Sequence, residues 1–220
     1  DQLGAMTTAQ TVGMTTAQVA ALSTAQVSQL TAANVAVLTS AQVKAIETDD
    51  LAQLTAEQVA AISTAAVAGL TTAQVEALTT AQVDKLTAAQ VGALTSAQVK
   101  AIETADLAKL TVEQVAAIST AALAGLTTAQ TVALSADQLG ALTTAQAAAL
   151  STANVVALTT AQVDKLTAGQ VAALTTTQVK SIEAEDVAKL TVDQVTALST
   201  AQVAALTTAQ AAVITSAQVG

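Results

Sequence analysis

The residues of this sequence best equipped for chemistry are carboxylates, and they recur in blocks. Glu47, Asp49 and Asp50 stand close together, and Glu183, Glu185 and Asp186 repeat the arrangement. A thinner version occurs at Glu103 and Asp106. Oxygen ligands at such spacing suit a hard cation such as Ca2+. Against that, each block is flanked by lysines available for ion pairs: Lys44, then Lys100 and Lys109, then Lys180 and Lys189. None carries the Asp-x-Asp-x-Asp-Gly order of a calcium loop. We read the blocks as acidic first turns of helices and assign no metal site. Should a metal bind, Glu47, Asp49, Asp50, Glu183, Glu185 and Asp186 are the candidates.

Other chemistry is thinner still. The chain has no His, Cys, Tyr or Arg, so the commonest general bases, thiol nucleophiles and anion clamps are missing. The many hydroxyls have no activating base, there is no glycine-rich phosphate loop, and no cofactor is implied. The expectation is a protein that is not an enzyme. A net charge of −9 and a pI near 4.1 argue against nucleic acid, whose phosphates call for Lys and Arg. They equally disfavour anionic membrane surfaces. No run of 18 residues lacks Thr, Ser or Gln, so no membrane insertion is expected. Without cysteine the redox compartment stays open.

The elements that carry these residues are short and numerous. From Thr7 to Ile214 the sequence is 26 octads end to end, each a version of Thr-Thr-Ala-Gln-Val-x-Ala-Leu. One column is Gln, Asn or Asp from Gln2 to Gln218, apart from Ala66 and Ala122. The next is Val or Leu except at Thr11, Thr131, Ala147 and Ala211, and a third is always Leu, Ile or Met. A continuous helix fails, because eight residues at about 100° each would wind the apolar stripe round the axis. A strand fails too, because Val and Leu stand three apart. Each octad is therefore expected to be one short helix. Thr with Gln three residues later is a capping box, with Thr71 as N-cap, Gln74 closing the box, and Val75 and Leu78 facing inward.

Charge placement agrees. Asp1, Asp49, Glu57, Glu113, Asp137, Glu185 and Asp193 fall at the second helical position, and all seven lysines (Lys44, Lys85, Lys100, Lys109, Lys165, Lys180 and Lys189) are expected in the last turn. A helix dipole favours this polarity. The joints are Leu-Thr-Thr or Ile-Ser-Thr, without the Gly or Asn that a left-handed corner needs, so open corners turning one way are expected. The block beginning at Thr39 recurs at Thr95, seven octads on, which equivalent octads on a screw axis tolerate. The number of octads per coil turn is not readable from the sequence, and three or four is a guess. The fold class is all-α, a solenoid or superhelix of short capped helices, one per octad, spanning 1–220 as one array. With both ends cutting through an octad, the chain is read as an excerpt from a longer array, its partners being neighbouring repeats of the parent chain and an unknown protein.

Three resemblances follow. Leu30-Thr-Ala-Ala-Asn34 resembles the Thr-Ala-Ala-Asn segments of alanine-rich helical antifreeze proteins. Those keep an eleven-residue period, and the free threonine column here (Thr8, Thr16, Thr24, Thr72) is broken by Ala32, Ala56 and Val112. Leu54 to Ser63 and Leu110 to Ser119 resemble the opening helix of a TAL-effector repeat. They lack that family's second helix, base-reading loop and basic surface, so DNA binding is not carried over. Over its whole length the chain is similar to Thr-Ala-Gln-Val octapeptide arrays in very large bacterial surface and adhesin-like proteins. That resemblance implies a spacer or stalk at a cell surface or outside the cell. The alternative is a ligand-binding repeat surface for ice, Ca2+ or a protein partner.

Because a calcium site demands six to eight oxygen ligands, calorimetric titration with Ca2+ is expected to show no binding heat up to millimolar concentration. Saturable heat abolished by Asp50→Asn would assign the site.

Overall fold

The Thr-x-x-Gln signature should start a helix every eight residues, and it does. The structure, a computed structural model, describes residues 3–219, with Asp1 and Gln2 outside the described residues. A 3-10 turn at Leu3–Ala5 is followed by 27 α-helices of four to six residues, and no strand occurs among the described residues. Helices this short do not form alone in water, so packing must hold each one in place.

The helix Thr72–Glu76 shows the local logic. Thr71 is extended at φ −74°, ψ 159°, and its hydroxyl accepts from the Gln74 backbone N–H. The last turn tightens, with the Leu78 N–H donating to the Val75 carbonyl at 3.2 Å. Leu78 then leads into Thr79, the next N-cap, at φ −72° and ψ 156°. Other helices end on a residue that is already extended, such as Leu94 at φ −65°, ψ 138°. These corners are thus made with ordinary negative φ, as a Leu-Thr joint requires.

By contacts the chain falls into two compact units, Asp1–Ser119 and Thr120–Gly220. In each, a helix packs against the helix three octads further on. Ala88–Ala93 lies on Val112–Ala117 in the first unit, and Ala136–Gly140 lies on Thr160–Lys165 in the second. The glutamine side chains bond between turns across 28 to 31 residues. One coil turn therefore takes between three and four octads. The turns come close: a Cβ on Gly92 would sit 2.9 Å from the Ala117 carbonyl oxygen, so this position admits only glycine without a shift.

The core is one Val or Leu and one Leu or Ile per octad, repeated. Val91, Leu94, Val99, Ile102 and Leu107 are all buried, as are Val163, Leu166, Val171 and Leu174 in the second unit. Val75 and Leu78 face inward as the spacing predicts. Thr11 and Thr131, which take the Val position, are buried as well, and each hydroxyl donates to the carbonyl four residues earlier.

The charges need one correction. Acids occupy first turns at Asp49, Glu57, Glu113, Asp137, Glu185 and Asp193. Lys44, Lys100, Lys165 and Lys180 lie in last turns. Lys85 is instead a C-cap, and Lys109 and Lys189 fall one residue beyond the C-caps Ala108 and Ala188. Helices of four residues end before the octad's seventh position, which puts those two lysines outside.

Leu107 is fully buried whereas Val112 is 40% exposed. Leu107→Ala should therefore cost about 2–5 kcal/mol, as core truncations do. Val112→Ala should change stability by under about 0.5 kcal/mol. Urea unfolding followed by circular dichroism compares the two.

Candidate functional site: the glutamine column and its acidic exceptions

A primary amide both accepts and donates, and the glutamine column uses both capacities. Gln90 Oε1 accepts from the Thr87 backbone N–H at 2.7 Å, closing the capping box. Its Nε2 turns the other way and donates to the carbonyls of Val59 (3.0 Å), Ala60 (3.2 Å) and Ile62 (2.7 Å). Those carbonyls end the helix Ala56–Ala61 one coil turn earlier. A helix leaves its last carbonyls unpaired, and here a side chain from the next turn supplies the donor. The positive end of one helix is thereby tied to the negative end of another.

The same offsets recur. Gln74 reaches Val43, Lys44 and Ile46, and Gln98 reaches Val67, Ala68 and Leu70. In the second unit Gln170 reaches Leu139, Gly140 and Leu142, and Gln202 reaches Val171, Ala172 and Leu174. These glutamines are buried, and no buried side-chain nitrogen or oxygen among the described residues lacks a partner. Gln10, Gln18 and Gln26 lie exposed and keep only the local half of the pattern. Asparagine is one methylene shorter. Asn34 and Asn154 reach one carbonyl each, 28 residues back, at Met6 and Leu126, and Asn34 also donates to the Thr11 hydroxyl at 2.9 Å.

Sequence reasoning gave the column its capping role and missed this second one. One signal was available. A capping box takes Glu as readily as Gln, yet this column never uses Glu. Its carboxylates are Asp50, Asp106 and Asp186 alone, so a donor amide is the rule with three acidic exceptions.

The predicted site residues are distributed differently. Within the first block Asp50 is buried, while Glu47 and Asp49 are exposed; within the last, Asp186 is buried, while Glu183 and Glu185 are exposed. Asp106 is buried like its counterparts. Among the described residues no three acids converge as a ligand set for a metal. An open hollow near the first block is lined by Ala20, Lys44, Glu47, Thr48, Thr71 and Gln74, without Asp49 or Asp50. The free threonine column lies outward, with Thr72 exposed at the helix start. The two stretches resembling a TAL-effector helix form Ala56–Ala61 and Val112–Ala117, each followed by another short helix of the array. Among the described residues no helix is long and apolar enough to cross a membrane.

This geometry defines a class: a helical repeat protein in which the typical octad caps its own helix and ties itself to the previous turn. The chain belongs to the ALTTAQ-repeat family, whose profile matches residues 1–32, 43–80, 99–136, 123–152, 145–176 and 187–220. The six letters read here as Ala77-Leu78-Thr79-Thr80-Ala81-Gln82, which holds the inward Leu, the N-cap and the bridging amide. No curated protein matches the chain.

Removing the Gln90 amide strips donors from buried carbonyls and an acceptor from a capped N–H. Gln90→Ala should cost about 2–4 kcal/mol, built from several lost bonds and orphaned groups. Gln18→Ala, in the exposed part of the column, should cost about 0.5–1 kcal/mol. Equal shifts in urea midpoint would refute the two-way role of the amide.

Proposed function

We propose that the chain is a non-catalytic structural segment, a spacer or stalk, of a larger bacterial protein at the cell surface or outside the cell. The observation that carries this reading is the sameness of the glutamine bonds along each unit. The polar groups that a binding or catalytic site would use are spent instead on joining one coil turn to the next. Repeat stability of this kind sums over neighbours, so length can change without redesign. The family resemblance supports a repeat-based structural role, and the likeness to bacterial surface arrays supports the location.

The sequence offers a clean test. Ile46-Glu47 and Ile102-Glu103 are the same junction seven octads apart, so residues 47–102 can be excised and the cut ends rejoined as Ile46-Glu103. A spacer predicts that the shortened chain keeps its helical ellipticity per residue. Displayed at a bacterial surface, it should also bring an outer tag closer by an amount proportional to the octads removed. Loss of a specific ligand on excision, with reach unaffected, would instead favour a binding surface.

A further inference from the structure

We infer that the coil is built with yield points, and that they are the three octads beginning at Glu47, Glu103 and Glu183. In these octads both partners of the usual cap are replaced by acceptors. Glu stands for Thr at the N-cap and Asp stands for Gln in the bridging column, at Asp50, Asp106 and Asp186. None of the three helices has a side-chain bond at its cap. The aspartates are only 6%, 3% and 6% exposed, so they occupy the inner place of the amide.

A carboxylate has no N–H to offer a carbonyl. At the offsets used by the glutamines, 28 and 30 residues back, stand the carbonyls of Leu22 and Ala20, of Leu78 and Glu76, and of Leu158 and Val156. These close the helices Thr16–Ala20, Thr72–Glu76 and Thr152–Val156. Acceptor therefore meets acceptor at the negative end of a helix, where the rest of the coil has a donor. The apolar contact survives, since Leu51, Leu107 and Val187 are buried. The seam is closed but lacks its polar tie.

The octad with Ala66 in the column shows that losing the amide need not loosen a seam. There the tie comes from the other side: Ser40 Oγ donates to the Ala65 carbonyl at 2.7 Å. The turns also meet so closely that a Cβ on Gly69 would fall 2.8 Å from Ser40 Cβ. Among the described residues the three acidic octads have no side-chain bond at the cap to set beside it. In the first unit the two yield points are seven octads apart. This inference stands whether or not the spacer reading holds. If the chain does bear load, these are where it lengthens first.

Native-state hydrogen exchange read by mass spectrometry tests it on the intact chain. Backbone amides of 103–110 and 183–190 should exchange about tenfold faster than those of 87–94 and 167–174, the factor of one net hydrogen bond in a local opening. Restoring the box with Glu103→Thr and Asp106→Gln together should slow 103–110 about tenfold and leave 183–190 unchanged. Uniform protection across the four octads would overturn the inference. So would fast exchange that persists in the restored variant.

Discussion

A buried amide must satisfy both of its ends at once, and the fold depends on that demand. Each glutamine of the column has an oxygen that needs a donor and a nitrogen that needs acceptors. Burying either end unpaired costs several kcal/mol, roughly what one octad can gain from its apolar residues. The oxygen's partner is local, three residues away, and forms in the exposed Gln18 as readily as in the buried Gln90. The nitrogen's partners are not local: they exist only when the coil has brought a helix end from about 30 residues back. The side chain thus couples secondary to tertiary structure. A capped helix can form early, but its column becomes a good buried group only once stacked.

The same demand explains the composition. A leucine in the column would bury more apolar area but leave the carbonyls of the previous turn unpaired. A glutamate would close the cap and repel them. A lysine would serve the carbonyls and leave the N-cap N–H unpaired. Only the primary amides do both, and the longer does it better: Gln74 reaches three carbonyls where Asn154 reaches one. With the amide linking turns and small alanines between, the coil needs no aromatic residue to fill its interior. That accounts for a chain with 52% apolar residues and no Phe, Trp or Tyr.

How much of this the sequence discloses follows from range. Interactions within an octad are legible: the N-cap at Thr71, the box with Gln74, the inward Val75 and Leu78, and the acids at helix starts all depend on neighbours three or four residues away. The corner is legible by elimination, because Leu-Thr without glycine leaves only extended geometry. The turn length is not legible. It emerges from small rotations at each joint that no single residue encodes, and without it the far partners of Gln90 cannot be named. For the same reason the acidic blocks read as clusters in the sequence. Folding separates them, taking Asp50 inward while Glu47 and Asp49 stay outside.

The seven-octad duplication gains meaning from the turn length. At between three and four octads per turn, one turn is not a whole number of octads, so a helix never sits squarely over its equivalent one turn below. The start of a helix meets the end of another, which is the arrangement the amide requires. Two turns take between six and eight octads, a range that holds the seven-octad step between the blocks at Thr39 and Thr95. The repeat of Glu47 and Asp50 at Glu103 and Asp106 preserves the octad position of the exception, and Glu183 and Asp186, ten octads further on, preserve it again. What the copies share is the pairing of an N-cap Glu with a column Asp, so the two substitutions travel as one unit and are read together.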